Sequence, residues 1–340
     1  MAVWDTRARV PIATSAGVAL LLAAAAAHTP AGQDAAPPAS QSSSAWSDDE
    51  LPVVRHYRYR MAGRVRPLLF WIGRDDVGMG EIVWRRGEGG VAYELLIGTD
   101  SAKAPRGINR WGYLLEDSRP SGTRVLGVMT TSDEATISDV TNRPAGAQPV
   151  GRFKGLDARI ADGVSRTATE TIETERDFSV RDKAVIVERI AAKLKDAAVR
   201  EVPVPGGARL GFLRAVAELV DETIAARKDG EQALRRLKGR TIPYVYGRRL
   251  YDLKLADVES LRPPKGGPPD GRPVHAEFGT LNHGTGSRTT FELQYTTDGP
   301  LAGVPTLIRH KPRWWLEAVL KLEAAAPGAT APAEGGSTRR

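Results

Sequence analysis

The sequence predicts an α+β protein that is mostly antiparallel β: a large curved sheet or partly closed barrel with a helical insertion around residues 183–238. Short runs of alternating apolar and polar residues recur between glycine-rich breaks up to residue 131. After residue 183 the apolar spacing changes to that of a helix, and strand-like runs return after residue 240. A sheet of this kind has one apolar face and two edges, so it must curl, close or be covered.

The first predicted strand is the run VVRHYRYR, which begins at Val53. Tyr57 and Tyr59 alternate with Arg58 and Arg60, the period of two expected of a half-buried strand. After this strand, an antiparallel meander is predicted from the runs PLLFWIG, GEIVWRRG, VAYELLIGT, RWGYLLED and TRVLGVMTT, with GRDDVGMG and GEGG as breaks. Farther along the chain, residues 158–175 predict one or two more strands.

The helical insertion is predicted from a change of period. Ile186, Ile190 and Leu194 recur at every fourth position and indicate a helix that ends before VPVPGG. A second helix is predicted over 210–227 and a short third helix over 231–238. We interpret their apolar stripes as core packing against the sheet.

The last section predicts strands again. IPYVYGRRLYDLKL has the pattern of a hairpin, and VHAEFGTLN, SRTTFELQYTT and VPTLIRH continue the sheet. RPPKGGPPDGRP predicts an exposed loop. The segment WWLEAVLKLE alternates like a strand, although its residues are good helix formers. We favour a strand, because the segment follows another strand through a short turn.

The N-terminus has the layout of a secretory signal peptide over residues 1–31. Two arginines precede an uncharged run that ends in five consecutive alanines, and cleavage after Ala27 or Ala31 fits this pattern. The alternative is an uncleaved anchor, because about 17 apolar residues is near the lower limit for spanning a bilayer. We expect a bacterial-type protein that is exported, either periplasmic or secreted.

Composition divides the remaining chain into three parts. Residues 32–50 are rich in Ala, Pro, Ser and Gln and predict a disordered spacer. Residues 51–323 are long enough for a single β-rich domain with its own core. Residues 324–340 predict a disordered tail.

The absence of cysteine excludes disulfides, thiol nucleophiles and iron–sulfur clusters. The net charge is +7, with 37 arginines and 11 lysines, and favours anionic partners such as a lipid, a glycolipid or an anionic polysaccharide. Such a charge also suits peripheral association with the envelope. Nucleic acid is not expected, because export and the scatter of basic residues both disfavour it. The oligomeric state is not predicted.

The sequence contains no strong catalytic or metal-binding motif. The histidines lack HxH or HExxH spacing, and no GxSxG elbow is present. GTGSR, residues 284–288, leads into a strand and not a helix, so it predicts a turn and not a phosphate loop. Asp75 and Asp76 supply too few oxygens for calcium. We therefore predict no metal and no cofactor.

The densest set of recognition groups lies in APRGINRWGYLLED, residues 104–117. Arg106 and Arg110 have the planar donor fork that grips a carboxylate or phosphate. Trp111 and Tyr113 can stack on an apolar or sugar face, and Asn109 can fix a ligand's orientation. These five residues are the candidate ligand site.

A structural loop is the alternative for this stretch, with Trp111 in the core and the arginines paired with Glu116 and Asp117 or with nearby carbonyls. Strand alternation sends Arg110 and Trp111 to opposite faces, so both cannot point into one cavity. The sharper expectation is therefore that Trp111 is buried while Arg106 and Asn109 lie at the rim.

Three classes of function remain open for this protein. The leading hypothesis is non-enzymatic binding of an amphiphilic or anionic envelope molecule in the concave interior of the sheet. A glycan-active hydrolase is the alternative, because it needs only two carboxylates across one cleft, and Glu94, Glu116, Glu277 and Glu292 are candidates. A structural or assembly protein of the envelope would instead show a flat exposed apolar patch.

Overall fold

The computed structural model of this chain describes residues 50–65, 72–104, 108–131, 151–205, 208, 211–262, 272–313 and 316–323. The predicted signal peptide, nearly all of the spacer, most of the loop RPPKGGPPDGRP and the C-terminal tail lie outside the described residues. Arg106 lies outside them as well.

The described residues form fourteen strands, three α-helices and one 3₁₀ turn, Val180–Asp182. The helices are α1 (Lys183–Lys195), α2 (Phe212–Lys228) and α3 (Glu231–Arg236). The strands are β1 (Val53–Val65), β2 (Ile72–Gly87), β3 (Gly90–Thr99), β4 (Trp111–Arg119), β5 (Gly122–Thr130), β6 (Gly151–Ala161), β7 (Val164–Thr174), β8 (Arg200–Pro203), β9 (Thr241–Tyr246), β10 (Arg249–Ser260), β11 (Pro273–Asn282), β12 (Arg288–Thr296), β13 (Pro305–Arg313) and β14 (Leu316–Leu322).

All fourteen strands belong to one sheet, in the order β8-β7-β6-β5-β4-β3-β2-β1-β14-β13-β12-β11-β10-β9. Each neighbouring pair is antiparallel, including β1 with β14. The prediction of a mostly antiparallel sheet is confirmed, and the helices are a minor part of the fold. Because β8 and β9 do not pair, the ladder does not close.

Side chains nevertheless bring the two ends of the sheet together. Ser165 on β7 donates a buried hydrogen bond to the carbonyl oxygen of Gly247, 2.7 Å away, in the turn between β9 and β10. Gly127 on β5 has no side chain at the point where the hydroxyl of Tyr246 on β9 approaches it. The sheet therefore curls into an incomplete barrel.

The two larger helices cover opposite faces of this sheet. We call the face against which α2 packs the inner face and the other the outer face. Ala215 and Leu219 of α2 are fully buried, and the Phe212 ring contacts Tyr244 in a tilted geometry and Phe291 edge to face on the inner face.

On the outer face, α1 buries Ile186, Ile190 and Leu194 against β6 and β7. Gly155 of β6 leaves room for Ile190, because a side chain there would collide with it. The predicted apolar stripe of this helix is thus confirmed residue by residue.

Two local predictions differ from the structure. GRDDVGMG does not separate two strands but lies inside β2, where the register with β1 shifts between Met61 and Gly63. Asp76 adopts a left-handed φ of 56° at this bulge, since a bulge re-aims a strand without ending it. The short edge strand β8 was not predicted. The segment from Leu316 is a strand, as favoured.

Candidate functional site

Trp111 is fully buried, as expected of the structural alternative. It is 0% exposed, its indole N–H donates to the carbonyl of Phe178 at 2.9 Å, and its ring lies 5.4 Å from that of Phe153. Tyr113 is also buried on the outer face, where Lys183 of α1 lies 5.4 Å from its ring centroid. Both aromatics therefore anchor the segment that leads into α1.

Asn109 is buried, with 2% exposure, and does not stand at the rim as expected. Its amide donates to Asp177 Oδ1 at 2.6 Å and to the carbonyl of Phe178 at 2.7 Å. Arg110 is 7% exposed and donates to the carbonyl of Asn109 at 3.0 Å. The rim prediction was wrong for Asn109, because the segment before α1 folds over it, and the prediction for Arg106 falls outside the described residues. A ligand-binding role for these residues stays a prediction.

Glu94 and Glu116 lie on opposite faces of the sheet. Glu94 is on the outer face and accepts from Arg85 Nε at 2.6 Å and from the Tyr113 hydroxyl at 3.0 Å. The neighbouring position, Tyr93, faces inward directly opposite Glu116. These two carboxylates therefore cannot act on one bond.

Glu116 caps the N-terminus of α2 from a distant strand. It is 0% exposed, and its two oxygens accept from the backbone N–H groups of Leu213 at 2.9 Å and Arg214 at 3.0 Å. Gly211 precedes the helix, and any side chain there would collide with this carboxylate. Desolvation raises the pKa of Glu116 to about 7, against the opposing effect of the backbone hydrogen bonds. Of the partners expected for the arginines of residues 104–117, the structure shows a nearby carbonyl for Arg110, that of Asn109.

Glu277 and Glu292 are direct cross-strand neighbours on the outer face. Glu292 accepts from Arg309 Nη1 at 2.9 Å, and His275 Nε2 lies 3.3 Å away. Glu292 thus belongs to a surface ion-pair network with His275, Arg309 and Lys311. His275 on β11 and His310 on β13 are separated by β12, and they face opposite sides of the sheet.

A cavity that can hold a small molecule lies between α2 and the inner face. It has a volume of about 480 Å³. Its wall combines the helix and the sheet, and its lining includes Trp84, Tyr93, Val216, Ala217, Val220 and Leu293, together with the predicted site residue Glu94.

Trp84 is the centre of the sheet wall of this cleft. Its ring meets Tyr57 and Tyr93 edge to face, at centroid distances of 6.3 and 6.4 Å. The guanidinium of Arg55 lies 4.9 Å from the Trp84 centroid and donates to the carbonyl of Ala302 at 3.1 Å. An aromatic floor and a fixed cation thus adjoin each other.

The loop between β12 and β13 closes one side of the cleft at Gly303. This glycine has a φ of 76°, and a side chain there would meet Ile224 at 3.3 Å and Trp84 at 3.9 Å. On the helix side, Asp221 lines the cleft, and desolvation raises its pKa while Arg214 and Arg86 act to lower it. The opening therefore carries both signs of charge.

The cleft was missed in the sequence, although one signal was present. Within GEIVWRRG, strand alternation places Ile82, Trp84 and Arg86 on one face. An aromatic flanked by an apolar and a cationic residue on one strand face is a pattern that suits an amphiphile. The local sequence, however, does not indicate which side of α2 packs over these residues.

In the described ranges, no cluster of three or more His, Asp or Glu side chains is arranged to hold a metal ion. Of the helices described, none has both the length and the apolar character needed to cross a membrane.

Fold and cavity together define a protein with one large, open antiparallel sheet and an apolar cleft beneath helix α2. No protein-family model matches the chain, and no curated protein matches it. Among solved structures, the chain is similar to a β-barrel-like protein of a domain of unknown function, DUF1849, from Brucella abortus. The two are 10% identical, with a TM-score of 0.37, and the match covers 79% of this chain and 95% of that one.

Proposed function

We propose that this protein binds an amphiphilic molecule with an anionic group in the cleft between α2 and the inner face, and carries out no reaction on it. The observation that carries this proposal is the cleft itself. Its volume of about 480 Å³ is within the range of small-molecule pockets, about 300–1,000 Å³. An envelope lipid or glycolipid, met after export, has the required chemistry.

The apolar part of such a ligand would lie between the sheet and the helix. Trp84 and Tyr93 offer aromatic faces, and Val216 and Val220 of α2 offer aliphatic ones. Burying apolar area contributes about 25 cal/mol per Å². This term favours a ligand with a hydrocarbon chain over a fully polar sugar.

The anionic part would lie near Arg55 and Arg86. Arg55 is held in place by Trp84 and by the carbonyl of Ala302, so little side-chain entropy is lost on binding. Arg86 is exposed beside the cleft. Guanidinium groups suit carboxylates and phosphates because they donate two parallel hydrogen bonds.

The assembly alternative receives less support. This alternative predicts a flat exposed apolar patch. The large apolar side chains that are exposed among the described residues are instead spread over four separate segments of the chain. They are Val53, Val54, Val185, Val199 and Leu301.

The test uses anilinonaphthalene sulfonate, a fluorescent amphiphilic anion, and the purified protein. Ala217→Trp places a large ring in the cleft and should weaken probe binding by about tenfold. Ala225→Trp is the matched control, because Ala225 is exposed on the same helix. Arg86→Gln should weaken binding severalfold without changing the unfolding midpoint.

Organic extraction of the purified protein followed by mass spectrometry tests the natural ligand. A lipid or glycolipid that is present in the wild type and depleted in Ala217→Trp supports the proposal. Clean spectra together with equal probe binding by Ala217→Trp and Ala225→Trp would reject it.

A further inference from the structure

We propose a second ligand site, specific for a phosphate group, on the outer face where β1, β13 and β14 adjoin. A pocket of about 380 Å³ opens there, lined by Arg64, Gly73, Arg309, Lys311 and Glu317. This site is independent of the cleft, because it lies on the opposite face of the sheet.

Strand register assembles the pocket. Arg64 on β1 lies directly opposite Glu317 on β14 and Gly73 on β2. Arg309 and Lys311 reach the same carboxylate from β13, at 3.2 and 3.8 Å. Gly73 leaves the end of this row open, since it contributes no side chain.

Positive charge exceeds negative charge within the pocket. Three cations surround Glu317, whose side chain is 6% exposed and lies deeper than theirs. Glu292, just outside the lining, shares Arg309 at 2.9 Å and Lys311 at 3.9 Å. Two buried or half-buried carboxylates therefore hold three cations in place without neutralising them.

The cations keep donors for a ligand. The Arg64 side chain is 45% exposed and contacts Glu317 at a long 3.4 Å, and that of Lys311 is 48% exposed. A guanidinium carries five N–H donors and an ammonium three. A phosphate accepts several charge-assisted hydrogen bonds at once, so it matches this donor set better than a neutral sugar does.

The phosphate can be free or part of a lipid head group, since both present the same oxygens. Inorganic phosphate is therefore the first probe, titrated into the purified protein by calorimetry. Vesicles of phosphatidylcholine with and without phosphatidic acid form the second arm and distinguish the two sources.

Three variants test the pocket. Arg64→Gln and Lys311→Gln should each weaken phosphate binding by about tenfold, the effect of one lost charge-assisted hydrogen bond. Gly73→Leu keeps every charge but fills the opening; its Cβ would lie 3.6 Å from Arg64 Cγ, an ordinary contact. This variant should weaken binding although the fold is retained.

Arg60→Gln is the matched control. Arg60 lies on the same strand and face, is 64% exposed and pairs with Glu323 at 3.6 Å, outside the pocket. Saturable binding that is weakened by the three pocket variants and unchanged in Arg60→Gln supports the site. Absence of saturable phosphate binding, or equal weakening by Arg60→Gln and Arg64→Gln, overturns it. Either result leaves probe binding in the cleft unaffected.

Discussion

The two halves of the sheet bury their outer faces to different extents. In the half from β3 to β7, the segment before α1 and α1 itself cover an apolar cluster on the outer face, so β3, β4 and β5 bury side chains on both faces, whereas β6 and β7 keep exposed positions. From β10 to β14 the outer face carries charged side chains, and only the inner face is apolar. The buried outer cluster of the first half includes Leu96, Trp111, Leu126, Phe153 and Ala168.

One strand from each half shows the difference. In β4, all residues from Trp111 to Leu114 are buried, whereas in β12 burial alternates from Phe291 to Tyr295. A strand buried on both faces needs a continuous apolar run, and a strand with one wet face needs alternation. The position of a single 13-residue helix, α1, thus determines which pattern each half requires.

Trp111→Ala should have the largest effect on this comparison. The ring is 0% exposed and packs beneath the segment that leads into α1, so its removal should lower the free energy of unfolding by about 3–5 kcal/mol. Denaturant unfolding measures this change.

Lys321→Ala is the control from the other half. Lys321 is exposed on the outer face of β14, and its loss should change stability by less than about 0.5 kcal/mol. Comparable losses in the two variants would mean that the outer faces do not differ in the way described.

Glu116→Gln should change how stability depends on pH. The pKa of Glu116 is raised to about 7 from 4.5, so between these values the folded protein binds a proton that the unfolded chain does not. The contribution of Glu116 to the free energy of unfolding therefore falls by about 3 kcal/mol as the pH rises through this range.

The measurement is the difference in unfolding free energy between wild type and Glu116→Gln at a series of pH values. Glutamine keeps one acceptor for the helix N-terminus but does not titrate. A difference that stays constant from acidic to neutral pH would contradict the raised pKa.

His310, in the other half of the sheet, should give stability the opposite dependence on pH. It is 2% exposed, its Nδ1 lies 3.0 Å from the carbonyl of Thr290, and its Nε2 has no hydrogen-bond partner among the described residues. Desolvation lowers its pKa to about 4 from 6.5. As the pH falls through this range, only the unfolded chain takes up the proton, and stability falls by about 3 kcal/mol.

His310→Leu removes this titration. Relative to the variant, the wild type should lose stability on acidification, whereas relative to Glu116→Gln it should gain stability. If the two differences in unfolding free energy changed with pH in the same direction, burial would not account for the pKa shifts of both Glu116 and His310.

Features that depend on the periodicity of residues within one segment could be predicted from the sequence. The apolar stripe of α1 and the alternation of β12 are each contained in one segment, and both are confirmed. Glu116 shows the limit, because its hydrogen-bond partners Leu213 and Arg214 lie almost a hundred residues away and carry no local mark.

Asn109 is a second residue whose environment depends on residues distant in sequence. Its polar side chain predicted a rim position, but Asp177 and Phe178, distant in sequence, bury it and supply its acceptors. The cleft also depends on which sheet face α2 covers, and periodicity identifies a stripe without identifying its partner.

Gly98→Ala and Gly279→Ala compare the two halves at matched positions. A Cβ at Gly98 would collide with the Cβ of Trp111 and lie 2.9 Å from Val180, whereas a Cβ at Gly279 has nothing within 4 Å. We expect Gly98→Ala to lower the free energy of unfolding by about 1–3 kcal/mol. Gly279→Ala should be neutral or slightly stabilising, since alanine reduces the entropy of the unfolded chain. Thermal unfolding of both variants measures this difference. Equal shifts of the unfolding midpoint in the two variants would contradict the prediction.

Ser165→Ala tests the contact where the two ends of the sheet meet. The Ser165 hydroxyl donates to the carbonyl of Gly247 in a buried position, so its loss leaves an acceptor unpaired and should lower stability by about 1–2 kcal/mol. Because no ladder joins β8 to β9, the effect should be local, with faster amide exchange in the β9–β10 turn and unchanged exchange in β1 and β14. Thr169→Ala, an exposed change on the same strand, is the control. Uniformly faster exchange across the sheet would instead show that this single hydrogen bond controls the stability of both halves.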